Sequence, residues 1–267
     1  MLRISHRLRF RLYLTSDLIS CYTKSMNIIL FEAYPEDGRI PLSDARGKHI
    51  KKILRLQEGD SFLMGLVNGF AGRAVITKID SEAIAIDWKQ ETPPLPLFPI
   101  TLLVAQVRPI CMKRILREAV SLGVERIVVS GTDTGERSYR DAKLWKGGEY
   151  REYLLSGAQQ AGRTVVPELK LFDTLYDAER EYKQEDTGLV RIALDNIKPE
   201  TKLSTMQIPD GNKYILAVGP ERGWSSHERE FLTGSGYLSA GLGDRILRTE
   251  TACSAGLAIL LGRLSLI

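Results

Sequence analysis

Cysteine and histidine are scarce in this sequence, with three of each among 267 residues. Cys21, Cys111 and Cys253 stand far apart with no CxxC pair, and His6, His49 and His227 are equally scattered. That spacing argues against a disulfide framework and a zinc site, and a reducing cytoplasm suits it best. No apolar run approaches the roughly 18 residues needed to cross a bilayer, so no membrane association is expected. Internal repeats and low-complexity tracts are missing as well. Neither sign of charge dominates: 37 Lys and Arg against 33 Asp and Glu leave +4, a mild lean toward polyanions that many unrelated proteins share.

The basic charge is concentrated. From Arg39 to Arg55 six basic residues stand against one acid, Asp44. Residues 45–56 put Ile50, Ile53 and Leu54 on one helical face, leaving Lys48, Lys51, Lys52 and Arg55 mainly on the rest of the surface. A solvated charged helix and a polyanion-binding helix both fit that pattern. Around it, residues 26–92 read as a small β-rich domain. Its strands are expected at 28–31, at 62–67 and 74–79 flanking Asn68-Gly69, and where Ile84, Ile86 and Trp88 alternate with Ala85 and Asp87. Residues 1–25 carry a single acid, Asp17, and read as a targeting segment or as sequence upstream of a start at Met26.

Four prolines between Thr92 and Pro99 make residues 93–99 a stiff linker. Beyond it the texture changes. Strands are expected at 100–107, 124–130 and 189–194, with helices at 111–122 and 145–161. This alternation predicts an α/β domain over 100–267, a mostly parallel sheet with helices on its faces.

The stretch 214–263 organises that domain. An apolar run at 214–218 ends at Gly219-Pro220, the pattern of a buried strand entering a tight loop. Ser225 and Glu228 fit a capping box, so a helix should begin there. A short strand at 237–240 leads into Gly241-Leu242-Gly243, and a largely apolar helix at 252–263 follows. Two glycine loops after two strands make a small-molecule pocket plausible, because glycine lets backbone approach a ligand closely. Its ligand is not named by standard fingerprints. Ile246 stands where a dinucleotide motif needs its third glycine, and the 219–224 loop lacks the Lys-Ser/Thr of a P-loop.

The wording of the loops goes further. GPERGW at 219–224, followed some twenty residues on by LGDRILRTETA at 242–252, resembles the two closing motifs of the SPOUT, or trefoil-knot, RNA methyltransferases. More narrowly, it resembles the members that methylate N3 of a uridine in small-subunit ribosomal RNA. Glu136-Arg137-Ser138, and Gln160-Ala161-Gly162-Arg163 followed by Pro167, are similar to further family motifs; RGKHIKKILRLQEGD is similar to the helix of the family's PUA-like RNA-binding domain. The resemblance covers nearly all of residues 26–267 and departs at Glu118, Ser121, Arg222, Trp224 and Asp244.

It implies a C-terminal SPOUT-type α/β trefoil-knot domain preceded by a small PUA-like β-barrel domain, acting as a homodimer. It implies S-adenosylmethionine held by backbone from three loops, without a metal. In this chain those loops supply Leu194; Gly219, Pro220, Glu221 and Gly223; and Leu242, Gly243, Ile246 and Leu247. Ribosomal RNA would meet Arg46, Lys48, Lys51, Arg55, Arg137 and Arg163. N3 of uracil must lose a proton to attack, so a general base and a cation beside the carbonyl oxygens would each help. Arg248 is the expected cation, with Glu250 or Glu221 as the base. A non-enzymatic RNA-binding module and a Rossmann-type nucleotide enzyme are the rival readings, separated by which of S-adenosylmethionine, NAD and ATP binds.

Overall fold

A computed structural model describes residues 27–182, 188–197 and 199–267; the expectation for residues 1–25 lies outside them. Two sheets organise the described chain. The first joins Ile29–Phe31 (β1), Arg39–Pro41 (β2), Ser61–Leu66 (β3), Ala71–Ile79 (β4) and Ala83–Thr92 (β5) in the order β1-β3-β4-β5-β2. β1 runs parallel to β3 and the other neighbours are antiparallel, which makes a mixed half-barrel. Along β4, Gly72, Ala74 and Ile76 are buried while Arg73, Val75 and Thr77 face solvent, the period of two that a half-covered strand requires. Their buried face meets Ile40, Ile50, Phe62, Met64 and Ile84.

The basic helix, Ala45–Lys48 (α1), is capped by Asp44, whose carboxylate accepts the Arg46 amide at 2.8 Å. It continues as a π turn over His49–Ile53 and stops there, short of the expected residue 56. The wider turn explains a second departure. Ile50 is fully buried, but Ile53 is 69% exposed and is not on the apolar face. Arg55, at φ 55°, turns the chain away in the left-handed region.

The second sheet is built from Phe98–Ala105 (β6), Pro109–Ser121 (α2), Val124–Ser130 (β7), Lys143–Lys146 (α3), Tyr150–Gln160 (α4), Glu168–Phe172 (β8), Leu175–Tyr182 (α5), Leu189–Leu194 (β9), Thr201–Lys202 (β10), Lys213–Val218 (β11), Ser226–Gly234 (α6), Leu238–Gly241 (β12) and Thr249–Arg263 (α7). Its seven strands lie in the order β10-β12-β9-β11-β6-β7-β8, every pairing parallel. The central strands are near-continuous apolar runs because helices cover both faces. From β6 the chain winds outward to β8; β11 is later inserted between β6 and β9. After β12 the chain returns across the sheet, and α7 packs on α2, β11 and β6.

Local sequence explains most of the helices. α2 opens on Pro109 at its first turn and buries Met112, Ile115, Leu116, Ala119 and Val120, the spacing of one helical face. The single helix expected at 145–161 is two, α3 and α4, separated by Gly147-Gly148 with Gly148 at φ 70°. α4 crosses α2 closely at Gly157, where a Cβ would lie 2.6 Å from the Arg117 carbonyl oxygen. α7 begins at Thr249, three residues before the expected 252. Between the sheets, the amide of Asn68 donates to the Thr164 carbonyl at 2.9 Å and the Thr164 hydroxyl to the Gly69 carbonyl at 2.7 Å. The Arg151 guanidinium on α4 donates to both carboxylate oxygens of Glu32.

Candidate active site

The carboxyl ends of β9, β11 and β12 open into a cleft of about 620 Å³ that communicates with solvent. The winding direction of the sheet reverses between β6 and β11, and the cleft lies beside that point, on the side of β9, β11 and β12. All nine residues expected from the three loops line the cleft, from Leu194 through Gly219, Pro220, Glu221 and Gly223 to Leu242, Gly243, Ile246 and Leu247. Arg245, within the third of those loops, lines it too, and so do Asp195, Asn196, Trp224 and Thr249, which were not expected there. For Asp195 and Asn196 a signal existed, since they directly follow a strand end.

Trp224 fixes the loops to one another. Its ring is 3% exposed, and its indole N–H donates to the Leu194 carbonyl at 2.9 Å, joining the β9 end to the β11 loop. Glycine at 219 lets the indole pack against the loop backbone, since a Cβ there would stand 3.2 Å from the ring, tighter than ordinary contact. Gly223, at φ 71°, closes the turn by donating to the Pro220 carbonyl at 2.8 Å. The loop then enters α6 through the expected capping box: Ser225 Oγ accepts the Glu228 amide at 3.0 Å and Glu228 Oε2 accepts the Ser225 amide at 2.8 Å. Asp195 is held by Arg229 at 2.7 Å. Burial alone would raise the Asp195 carboxyl, but the Arg229 guanidinium and the neighbouring amides outweigh it and keep it below the ordinary carboxylate range.

The three expected catalytic residues separate. Arg248 is the N-cap of α7, exposed, with no ion pair among the described residues. Glu221 is exposed and lines the cleft. Glu250 does not line it. Only 8% exposed, it lies between α2 and α7 with Arg114 at 3.9 Å. Burial, then the Glu250 charge, push the nearby Cys111 thiol up. Glu250 stands in the first turn of α7, and the packing of α7 on α2 sets its carboxylate beside Arg114. Arg108, missed in the sequence, sits where β6 gives way to α2; its Nε contacts the Tyr139 hydroxyl at 3.3 Å and it senses the Glu221 charge.

The basic residues fall in three places. Lys48, Lys51 and Arg55 are exposed on and after α1, without ion pairs among the described residues. Arg46 is partly committed elsewhere, paired with Asp44 and lying 4.2 Å over the Phe31 ring. Arg163 is exposed at the junction between the sheets, and Arg137 is exposed on the loop after β7. Besides Trp224, two of the departures from the family pattern are bonded into the fold. The Ser121 hydroxyl donates to the Arg117 and Gly157 carbonyls at the α2–α4 crossing, and Glu118 accepts from the Ser254 hydroxyl.

Comparison with known proteins gives consistent matches. The model of an RNA methyltransferase domain matches residues 93–261, and that of an RNA methyltransferase PUA domain matches residues 42–87. The chain is similar to ribosomal RNA small subunit methyltransferase E of Treponema pallidum, 35% identical over 242 residues that cover 88% of this chain and 91% of the relative. It is similar to ribosomal RNA small subunit methyltransferase E 1 of Borreliella burgdorferi, 28% identical, covering 90% of this chain and 99% of the relative. Among solved structures, the ribosomal RNA small subunit methyltransferase E of Neisseria gonorrhoeae bound to S-adenosyl methionine superposes with a TM-score of 0.71. It is 24% identical, and the match covers 89% of this chain and 98% of that one.

Proposed function

Because the chain belongs to the RNA methyltransferase family that includes the ribosomal RNA small subunit methyltransferase E proteins, we propose that it methylates N3 of a uridine in small-subunit ribosomal RNA, with S-adenosylmethionine as donor. The observation that carries this reading is the convergence of three loops on one cleft. The residues present fit the donor. Ile246, 84% exposed, is an apolar side chain at the cleft almost without protein cover, and Leu247 beside it is partly open, a pair suited to a flat ring. Gly219 and Gly223 leave backbone polar groups within reach.

S-adenosylmethionine, when bound, supplies an electrophilic methyl group. The chain's part is to orient the acceptor and manage one proton. Glu221, the candidate base that lines the cleft, would take the N3 proton on its carboxylate. Arg248 would face the uracil carbonyl oxygens as they gain charge. Much of the acceleration would come from holding donor and acceptor in line. The exposed basic residues of α1, with Arg163 and Arg137, would hold the RNA backbone. Ile110, 65% exposed at the start of α2, is suited to a subunit contact, and we place the enzyme as a homodimer in the cytoplasm.

The test is methyl transfer from labelled S-adenosylmethionine to small-subunit ribosomal RNA, with the digested product read by mass spectrometry. 3-Methyluridine is the expected product; methylated adenine or ribose would reject the assignment to uracil. A monomeric mass in light scattering at micromolar concentration would reject the dimer.

A further inference from the structure

A second cleft, of about 740 Å³, opens at the carboxyl ends of β6, β7 and β8, on the other side of the reversal from the donor cleft. The two share a wall. The Thr134 hydroxyl donates to the Gly223 carbonyl at 2.8 Å, and Glu228, fully buried, accepts the Asp133 amide at 2.9 Å on one oxygen and the Ser225 amide on the other. Loop 131–135 of the second cleft is thereby fastened to the glycine loop of the first.

The lining has an unusual balance. Tyr176 contributes a half-buried ring braced by Phe231, edge-on at 4.6 Å, and by a 2.8 Å hydrogen bond between its hydroxyl and His227. Four carboxylates line the cleft; Glu228 has both oxygens engaged, and three have one engaged: Asp133 by the Ser225 hydroxyl, Glu136 by the Ser138 amide, and Asp173 by Arg140. Each of these three keeps a second oxygen able to accept. Thr132 Oγ1 is buried in the lining without a hydrogen-bond partner among the described residues. Arg137 is exposed there and makes no ion pair among the described residues. A fixed aromatic ring, spare carboxylate oxygens and one uncommitted guanidinium suit an unpaired nucleobase that stacks, donates amino hydrogens and carries its phosphate toward the arginine. They do not suit a free anion, which the carboxylates would repel.

We infer that this second cleft takes a splayed-out, amino-bearing nucleobase of the same RNA, stacked on Tyr176 with its phosphate at Arg137. The inference rests on the RNA methyltransferase reading for its choice of ligand, and it adds a recognition site beside the donor cleft. Anisotropy with labelled oligo(A), oligo(C) and oligo(U) RNA tests it on the full chain. Oligo(A) and oligo(C) should bind more tightly than oligo(U). Tyr176→Ala should weaken oligo(A) about ten- to a hundredfold, the range for loss of a base–aromatic stack, whereas Tyr176→Phe should stay within about twofold. Arg137→Ala should weaken it and flatten the salt dependence. Calorimetry should show unchanged S-adenosylmethionine affinity in all three variants. Equal binding of the three oligomers, or a well-folded Tyr176→Ala that binds oligo(A) like the wild type, would overturn the inference. If Tyr176→Ala does not fold, Arg137→Ala and the cleft-filling Thr132→Met decide, and unchanged oligo(A) affinity in both would overturn it equally. A wild type that transfers no methyl group would sink the enzymatic reading alone, since these arms read RNA binding.

Discussion

Trp224→Phe tests whether the donor cleft is held together from inside. The substitution removes the indole N–H that reaches the Leu194 carbonyl and leaves that acceptor without its side-chain partner. Loss of one such bond costs about 1 kcal/mol, and replacing a buried indole by the smaller phenyl ring adds a cavity cost of about 1–2 kcal/mol. Together that is about 2–3 kcal/mol, or a drop of about 5–10 °C in melting temperature for a chain of this size. Leu194 and Gly219 both line the cleft and both touch Trp224, so the loops should also lose their mutual register. S-adenosylmethionine affinity should then fall about tenfold, the equivalent of about 1.4 kcal/mol. Differential scanning fluorimetry and calorimetry on the same preparation read the two effects. An unchanged melting temperature would refute the packing argument. A lowered melting temperature with unchanged affinity would refute the link between Trp224 and the donor loops.

Arg248→Lys keeps the charge and loses the planar fork; single-turnover methylation should fall about 10²–10³-fold, while stability shifts by less than about 0.5 kcal/mol because the side chain is exposed and makes no ion pair among the described residues. Near-normal turnover would end that assignment. Replacing Lys48, Lys51 and Arg55 together by Ala should flatten the slope of log RNA affinity against log salt, with S-adenosylmethionine binding untouched; an unchanged slope would place the RNA elsewhere. The Asp195–Arg229 pair gives a pH signature. Asp195 has its carboxyl depressed in the folded state, so its contribution is complete above the ordinary aspartate range and is lost as pH falls through the lower folded value. Arg229→Ala should therefore cost about 2 kcal/mol at neutral pH, with the difference from wild type narrowing below about pH 4 in urea titrations. A constant difference across that range would show that the pair does not titrate as described.

Much of the fold was legible because its signals are local. Buried parallel strands are apolar runs, and β7 and β9 have the limits their sequence announces. The capping box needs only Ser225 and Glu228 three residues apart. β8 and α5 went unread, and β8 is an edge strand whose side chains are mostly half-covered or exposed, which blurs its pattern. The break between α3 and α4 was missed because Gly147-Gly148 sits inside a run of good helix formers.

By itself the sequence determined the two sheets' central strands and the glycine loops, while the nine residues that line one cleft were named through the resemblance of those loops to a family. Short-range chemistry suffices for the strands and loops, since a strand end and a glycine turn fix where the following backbone goes. Tertiary structure alone decided which candidate base faces the cleft, because the placement of Glu250 beside Arg114 depends on how α7 packs on α2 as it returns across the sheet. It also decided that Arg191, in the middle of β9, is buried against Glu179 at 2.9 Å, with the Tyr237 hydroxyl donating to the same carboxylate at 2.7 Å. The second cleft belongs to the same class. Its tyrosine, arginine and carboxylates come from segments far apart in the chain, and only the parallel alignment of β6, β7 and β8 sets their loops side by side.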